Sequence, residues 1–199
     1  MRKKCDSDGR DAAIKSIKEG GIVVFPTDTV YGIGCDPYNK KAVEKIYRIK
    51  NRDQGKLFPV LGFSKDTLEK IVSFNEKANK IAEKFWPGQL TLILPLKDEK
   101  LRTSMNLADK IAVRIPKNNC VLKILEHCGL IIGTSANISG MKSFTDPDEC
   151  EKNVSEYDVF IDDGKISSRG ESTVVEINDD EIEIHREGII SKEEILSLF

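Results

Sequence analysis

The chain has 199 residues, of which 39% are hydrophobic and 32% are charged, as is typical of a soluble globular protein with a real core. It contains no apolar run near the roughly 18 residues that a membrane helix needs, and its first residues lack the apolar segment of a secretory signal, so we expect a cytoplasmic protein. The net charge of −2 hides an asymmetry, because residues 146–199 hold 17 acidic and 5 basic residues; the anion-binding surface is therefore expected in the first three quarters of the chain.

The first half of the chain alternates predicted helices and strands. The stretch "SDGRDAAIKSIKEGG" has apolar residues on one face and predicts a helix that starts at Ser7 or Asp8 and stops at its glycine pair. The apolar run "GIVVFP" predicts a short buried strand closed by Pro26. The next segments predict, in order, the helix "NKKAVEKIYRIKN", the strand "LFPVLGF", the helices "SKDTLEKIV" and "EKANKIAEKFW", a turn at Pro87 and Gly88, and the strand "QLTLILPL".

The second half begins with the strand "KIAVRIP", the helix "NCVLKILEHCG" and the strand "LIIGTSA". Three late strands, "DVFIDDG", "STVVEI" and "EIEIHR", follow without long helices between them, and "SKEEILSLF" predicts a capped final helix. This order predicts an α/β fold with an open, twisted, mixed β-sheet and helices on its faces. Because we find no repeat, low-complexity tract or linker, we expect residues 1–199 to form one domain.

Five cysteines occur, at positions 5, 35, 120, 128 and 150. The number is odd and no C-x-x-C pair is present, so we predict neither a disulfide framework nor a zinc ribbon. His127 beside Cys128 is the nearest approach to a metal site, and we interpret it as a packing or helix-end residue. The sequence therefore predicts no metal site built from protein ligands.

The usual nucleotide and hydrolase signatures are missing from the chain. It has no G-x-x-x-x-G-K-[ST], no G-x-G-x-x-G after a strand, no H-E-x-x-H and no G-x-S-x-G. If the protein binds phosphate, other residues must provide the contacts.

Polar side chains crowd the loop after the first buried strand, in "FPTDTVYGIG". Thr27, Asp28, Thr29 and Tyr31 could bind a small polar ligand at this strand end. An ordinary Asx or ST turn is the alternative, and local physics alone favours it.

A basic segment follows in "YRIKNRDQGK". Lys50 and Arg52 would diverge on a regular helix, but at a helix end that runs into a loop they can converge on one anion. Seven basic residues against two acidic ones lie between positions 40 and 56, and the loop contains Gly55, where a phosphate could come close. A solvated helix face is the alternative.

A third polar stretch, "GTSANISGMKS", places Ser135, Asn137, Ser139 and Ser143 around two glycines after a strand. Backbone and hydroxyl donors of this kind suit phosphate or ribose oxygens, although a plain polar loop remains open. We interpret Trp86, the lone tryptophan, as a packing residue beside a turn rather than a ligand-stacking residue.

These segments together resemble the YrdC family of threonylcarbamoyl-AMP synthases. The resemblance runs in order from about residue 20 to residue 188 and depends on the stretches "PTDTVYGIG", "KNR", "WPGQLTLIL", "AVRIP", "SANISG", "ESTVVEI" and "REG". It implies a YrdC-like fold with a large, positively charged concave surface. It also implies a nucleotidyltransferase reaction in which L-threonine, bicarbonate and ATP with Mg²⁺ give threonylcarbamoyl-AMP and pyrophosphate.

The resemblance assigns roles to ten residues of this chain. It implies that four of them bind threonine: Thr27, Tyr31, Arg114 and Ser172. It implies that six hold ATP, the first two of them also acting in catalysis: Lys50, Arg52, Ser135, Asn137, Ser143 and Arg186. Replacing Thr27 is expected to raise the threonine requirement before it alters ATP binding.

Three positions depart from the family pattern, in which proline is usual: Asp53, Gln89 and Glu187. Asp53 adds a negative charge beside the expected phosphate site, whereas the other two changes look tolerable. The chain resembles the compact form of the family, without an extra C-terminal domain.

The product would pass to a tRNA threonylcarbamoyl transferase complex that modifies the adenosine next to the anticodon. We expect a monomer without membrane contact, and direct contact with tRNA is left open. The alternative function is a non-catalytic RNA-binding module in tRNA or ribosome maturation, which the basic first part of the chain would suit.

Overall fold

The computed structural model describes residues 1–53, 56–178 and 181–199, so Gly55 of the expected phosphate loop lies outside the described residues. The strands are β1 (Arg2–Lys4), β2 (Val23–Phe25), β3 (Gly32–Gly34), β4 (Val60–Gly62), β5 (Leu90–Pro95), β6 (Lys110–Arg114), β7 (Leu130–Ile132), β8 (Thr134–Ser135), β9 (Val159–Asp162), β10 (Thr173–Asn178) and β11 (Glu181–Arg186). The helices are α1 (Ser7–Lys18), α2 (Lys40–Ile49), α3 (Lys65–Glu69), α4 (Glu76–Phe85), α5 (Glu99–Met105), α6 (Asn119–Cys128), α7 (Pro147–Asn153) and α8 (Lys192–Leu196).

The strands are divided between two open, mixed sheets. The first sheet has the order β1-β9-β2-β3-β8, and the second has the order β11-β10-β5-β6-β4-β7. In the first sheet β9 runs parallel to β1 and β2, whereas β3 is antiparallel to both its neighbours. The predicted mixed α/β fold is confirmed. The division into two sheets depends on long-range pairings, which local sequence patterns do not reveal.

Helix α1 illustrates how closely local sequence signals fix an element. Its first turn is capped by Asp6, whose carboxylate accepts a hydrogen bond from the Gly9 backbone N–H at 2.8 Å. Its end is marked by Gly20, whose φ of +82° favours glycine. The helix therefore begins at the predicted residue, one position after its capping aspartate.

Four elements were not predicted: β1, β3, α5 and α7. Strand β3 is the sequence "GIG", in which two glycines hide the strand pattern. Helix α7 starts at Pro147 after the cap Asp146, but its seven residues carry too little apolar periodicity to be recognised. Short elements such as these are stabilised by their packing rather than by their own propensity.

The alternation along β5 separates the core from the surface that carries the site. Leu90, Leu92 and Leu94 are buried in the core. Thr91 and Ile93 point to the opposite face, where they line a cavity. Since β10 pairs in parallel with β5 and places Val174 beside Thr91, the cavity-facing residues of both strands lie in adjoining rows.

The structure contradicts one prediction, because Cys5 and Cys120 form a disulfide. The two residues are 115 positions apart in the chain, and their Cα atoms are 6.1 Å apart, within the range that a disulfide spans. Helix α1 packs against α6, and this packing brings the two cysteines together. Cysteine spacing in the sequence cannot show such a contact.

None of the described helices combines the length and apolar character that a membrane span requires.

Candidate functional site

A cavity of about 460 Å³ lies on the second sheet, on the face away from the leucine core, beside strand β8 of the first sheet. Strands β5, β6, β10 and β11 form its floor, and the loops before β3, after α2 and before β10 form its sides. This volume is within the range of pockets that bind nucleotides and other small ligands. The cavity is therefore the first candidate for the site.

Half of the ten residues with predicted roles line this cavity. They come from five separate segments of the chain: Arg52, Arg114, Ser135, Ser172 and Arg186. The fold thus gathers residues that are up to 134 positions apart, between Arg52 and Arg186, around one space. Whether they contact the predicted ligands stays a prediction.

The cavity walls carry an excess of positive charge. Five cationic side chains face two carboxylates: Arg52, Lys56, Lys110, Arg114 and Arg186 against Glu171 and Glu176. Burial lowers the pKa of Arg52, and the positive charge of Arg186 lowers it further. Four of these cations pair with a carboxylate: Lys56 with Asp53, Lys110 with Glu176, Arg114 with Asp28 and Arg186 with Glu171. Among the described residues Arg52 has no carboxylate partner, so an anion beside it would be electrostatically favoured.

Arg114 is almost fully buried and is held by the loop that follows β2. Its Nη2 donates to Asp28 Oδ1 at 2.7 Å, its Nη1 donates to Thr29 Oγ1 at 3.1 Å, and its Nε donates to the Gly88 carbonyl at 2.9 Å. Burial lowers the pKa of Arg114, and the carboxylate of Asp28 opposes this shift. The other oxygen of Asp28 is buried and has no hydrogen-bond partner among the described residues. The sequence pattern offered Asp28 as a ligand-binding or turn residue and did not reveal that it pairs with Arg114, the arginine expected to bind substrate.

Thr27 closes the turn that presents this loop. Its hydroxyl donates to the Val30 carbonyl at 2.6 Å and accepts from the backbone N–H groups of Thr29 and Val30. The structure therefore shows the ST turn that local physics favours. Thr27 is buried behind Thr29, which does line the cavity.

Ser172 and Arg186 form one hydrogen-bonded group with Thr91 on the cavity floor. The hydroxyl of Ser172 lies 3.0 Å from that of Thr91 and accepts from Arg186 Nη2 at 3.2 Å. Arg186 also donates to the Ser172 carbonyl and pairs with the carboxylate of Glu171. A threonine within the apolar run of β5 was the sequence signal that could have identified Thr91.

Lys50 does not face this cavity. Its side chain is 1% exposed, and its ammonium donates to the carbonyls of Ser135 and Asn137, at 2.7 Å for the latter, and to Asn137 Oδ1 at 3.2 Å. Burial lowers the pKa of Lys50 to about 8, the charge of Arg52 acts in the same direction, and Glu171 opposes both. In this structure Lys50 fixes the segment that follows β8.

Arg52 takes the direction opposite to Lys50, toward the cavity. Its Nη2 donates to the Leu57 carbonyl at 3.0 Å, and its guanidinium carbon lies 5.2 Å from the ring centroid of Phe58. Lys50 and Arg52 therefore leave the end of α2 separately, and only Arg52 is placed to meet a ligand in this cavity directly.

The segment after β8 is internally tied. Ser135 Oγ donates to Asn137 Oδ1 at 2.6 Å, and Asn137 Nδ2 donates to the Met141 carbonyl. Ser135 lines the cavity, whereas Asn137 is buried behind it. Ser143 is half-buried and lies next to Phe144, whose carbonyl accepts from the Tyr31 backbone N–H at 2.8 Å.

Tyr31 is fully buried and does not line the cavity. Its hydroxyl donates to the Gly164 carbonyl at 2.7 Å and accepts from the Asp163 backbone N–H at 3.2 Å. Burial is the main cause that raises the pKa of this phenol. The geometry gives Tyr31 a bracing position behind the site, and its predicted contact with threonine stays a prediction.

The far end of the cavity holds a polar group that the sequence reasoning missed. Glu176 pairs with Lys110, and its Oε2 lies 2.6 Å from His185 Nε2. Glu176, Glu183 and His185 bring three possible metal ligands within 4.8 Å of one another, the one such group found in the described part of the chain. Because one oxygen of Glu176 already accepts from Lys110 and the other lies against His185, we assign no metal to this group.

The sequence matches one family model and several proteins of known name. A family model named Sua5/YciO/YrdC and described as "Telomere recombination" matches residues 15–188. A protein of Methanocaldococcus jannaschii named "Putative threonylcarbamoyl-AMP synthase" is 41% identical over 177 residues, which are 88% of this chain and 84% of that protein. A "Threonylcarbamoyl-AMP synthase" of Bacillus subtilis is 36% identical over 90% of this chain and 53% of its own length.

Among solved structures, the crystal structure of Pyrococcus abyssi Sua5 complexed with L-threonine superimposes with a TM-score of 0.90 and 32% sequence identity. The match covers 100% of this chain and 59% of that one. This chain thus spans most of the M. jannaschii relative but only about half the length of the B. subtilis and P. abyssi relatives.

Proposed function

Because the chain belongs to the Sua5/YciO/YrdC family, we propose that it is a threonylcarbamoyl-AMP synthase, a nucleotidyltransferase that uses L-threonine, bicarbonate and ATP. The amine of threonine and bicarbonate give N-carboxythreonine and water. The new carboxylate attacks the α-phosphorus of ATP, and pyrophosphate leaves. The names of the relatives and the threonine complex of the P. abyssi protein support this proposal.

The observation that carries the proposal is the single cavity shared by two sets of polar residues. Arg114 and Ser172 lie on its strand floor, and Arg52 and Ser135 lie on its loop side. A site that joins an amino acid to a nucleotide needs both sets in one space, held in a fixed orientation. No protein nucleophile is needed for this reaction, because the carboxylate of the substrate attacks.

On the amino-acid side, Arg114 is prepared to bind a carboxylate. Each of its terminal nitrogens carries two hydrogens and uses one of them, on Asp28 or Thr29. One N–H on each nitrogen therefore remains for the two oxygens of the substrate carboxylate, which is the bidentate geometry that arginine favours. Ser172 and Thr91 supply hydroxyls next to this position.

On the nucleotide side, Arg52, Arg186 and Lys56 would offset the charge that develops as pyrophosphate leaves. Lys50 contributes by holding Ser135 and Asn137, whose polar groups would bind the nucleotide. We further propose that Ser143 completes the nucleotide end of the site. Thr27 and Tyr31 would complete its threonine end.

Mg²⁺ would arrive on the triphosphate as part of the substrate. Both carboxylates that line the cavity are engaged, Glu171 by Arg186 and Glu176 by Lys110. Mg²⁺ is commonly held by substrate phosphates and water together with few protein ligands, so the donor set fits an ion delivered with ATP.

The labile product would be handed to a tRNA threonylcarbamoyl transferase complex. We propose that residues 1–199 act as one catalytic domain, as a monomer in the cytoplasm, and that tRNA contact, if made, uses the basic face near α2.

The experiment measures pyrophosphate release from the purified chain with threonine, bicarbonate and ATP-Mg. Release should require threonine, and Lys50→Ala and Arg52→Ala should each reduce it sharply. Lys123→Ala, on the exposed side of α6, serves as the control and should leave it unchanged. Threonine-independent release, or none under any condition, would overturn the assignment. Salt-sensitive RNA binding without a thermal shift from ATP and threonine would favour the RNA-binding alternative.

A further inference from the structure

The turn between α4 and β5 connects the two halves of the amino-acid side of the site. Its Gly88 carbonyl accepts from Arg114 Nε at 2.9 Å, and the Gln89 carbonyl accepts from the Thr173 backbone N–H at 3.0 Å. The Gln89 side chain reaches across to the loop after β2, where Nε2 donates to the Asp28 carbonyl at 2.9 Å. Within the described part of the chain this is the one hydrogen bond to that carbonyl.

We propose that Gln89 is a positioning residue that fixes the backbone of the Asp28 loop while Arg114 binds the carboxylate of the amino-acid substrate. This inference rests on the proposed function. It assigns a role to the Gln89 side chain, whose amide is the donor to the Asp28 carbonyl.

Side chains from the second sheet and from the turn before it hold the Asp28 loop in place. In the described residues, three side-chain hydrogen bonds join Asp28 and Thr29 to the second sheet and the turn before it. Two of them come from Arg114, one to Asp28 Oδ1 and one to Thr29 Oγ1. The third comes from Gln89 and attaches to backbone rather than to a side chain. The Gln89 bond is thus the one that does not depend on the arginine.

A substrate carboxylate would compete for the same guanidinium. A carboxylate on the free N–H groups of Arg114 puts a second negative charge beside Asp28, which weakens the bond between Asp28 and Arg114 through like-charge repulsion. A hydrogen bond between two uncharged amide groups is less sensitive to that charge than an ion pair is. Gln89 therefore keeps the loop in place while Arg114 binds the substrate carboxylate in addition to Asp28 and Thr29.

The contacts also close a ring across the site. Asp28 binds Arg114, Arg114 binds Gly88, and Gln89 binds back to Asp28. Each group is thereby held from two directions, which is the kind of support that keeps a binding group within the narrow tolerance of a productive geometry.

The test uses two variants, Gln89→Met and Gln89→Pro. Methionine keeps the length of the side chain, and neither residue has a side-chain hydrogen-bond donor. Threonine binding is measured by calorimetry in the presence of a non-hydrolysable ATP analogue, and pyrophosphate release gives KM and kcat. Loss of one uncharged hydrogen bond should weaken threonine binding about 2- to 10-fold in both variants. The KM for threonine should rise, while kcat and the affinity for the ATP analogue stay within a factor of about two. Lys117→Met, an exposed change shortly after β6, is the control.

Unchanged threonine binding in both variants would overturn the inference. An equal loss of threonine and nucleotide binding would also overturn it, because that pattern reports general damage to the fold. If the wild-type chain neither binds threonine nor releases pyrophosphate, the proposed function itself fails, and this result is distinct from either outcome at Gln89. Should Gln89→Met fold poorly by circular dichroism, Gln89→Pro supplies the same comparison.

Discussion

Replacing Lys50 by methionine should destabilise the fold as well as weaken nucleotide binding. Methionine has nearly the length of lysine and fills the same buried space, but it donates no hydrogen bond. The ammonium of Lys50 currently bonds to the carbonyls of Ser135 and Asn137 and to Asn137 Oδ1. The substitution therefore isolates the loss of these bonds from any loss of packing.

The size of the effect follows from which acceptors are left without a partner. Asn137 Oδ1 still accepts from the Ser135 hydroxyl, and the Ser135 carbonyl still accepts from the Asn137 backbone N–H, so among the described residues one carbonyl, that of Asn137, loses its partner. Such a loss costs about 1 to 3 kcal/mol. Removing a buried charge returns part of this cost, which leaves a net loss of about 1 to 2 kcal/mol. For a chain of this size, the melting temperature should fall by roughly 2 to 8 °C.

Urea denaturation followed by circular dichroism at pH 7 measures this loss directly. Arg52→Met is the matched comparison, because Arg52 is partly exposed and its carbonyl partners lie in a surface loop. We expect Arg52→Met to lose nucleotide affinity to a similar extent with a loss of stability below about 1 kcal/mol. A Lys50→Met variant within about 0.5 kcal/mol of wild type would refute the structural role of Lys50.

The pH dependence supplies a second test of the same residue. The pKa of Lys50 in the folded chain is about 8, lowered mainly by burial from its ordinary value of 10.5. Between these two values the folded chain has released a proton that the unfolded chain still holds. The stability of wild type relative to Lys50→Met should therefore rise with pH across that window, whereas nucleotide affinity should fall as the ammonium is lost. NMR titration of the Lys50 side chain measures the pKa.

Three further substitutions test other parts of the site by urea denaturation. Asp28→Asn removes the negative partner of the buried Arg114 and should cost about 3 to 5 kcal/mol, and a loss below about 1 kcal/mol would contradict a buried ion pair at this position. Tyr31→Phe removes two hydrogen bonds behind the cavity and should cost about 1 to 3 kcal/mol and raise the KM for threonine, whereas a loss of stability with an unchanged KM would leave Tyr31 a bracing role alone. Cys5→Ser should lower stability by about 2 to 4 kcal/mol under oxidising conditions and not at all under reducing conditions, and equal stabilities in both would argue against the disulfide.

Much of the site could be predicted from short stretches of sequence, and the reasons are local. Arg114 ends a strand, and Ser135 ends another, so their approximate positions follow from the strand pattern alone. The different directions of the Lys50 and Arg52 side chains, one toward the segment after β8 and the other toward the cavity, could not be predicted, because they depend on the last turn of α2. There Lys50 is the residue that closes the helix and turns inward to β8, while Asn51, with a φ of +45°, redirects the chain before Arg52.

What the sequence reasoning missed depends on pairing between distant segments. Asp28 looked like part of a turn, and only the fold shows that it is the partner of Arg114, 86 positions away. Thr91 and Glu176 lie in separate strands whose register places both on the cavity face. Two sheets instead of one, and the disulfide at Cys5, have the same origin, since no local pattern records which segments meet.

Strand β8 ends the first sheet on one side, and the position of Lys50 there has a consequence for solubility. The Ala136 N–H points to β3, where it bonds to the Tyr31 carbonyl, so the Ser135 carbonyl of the same peptide points outward from the sheet. The Lys50 ammonium donates a hydrogen bond to that outward-pointing carbonyl, at the edge where a strand of another chain could otherwise pair. Because this carbonyl is already occupied by a buried lysine, an incoming strand cannot bond to it, and variants that lose the lysine should self-associate more readily at high protein concentration.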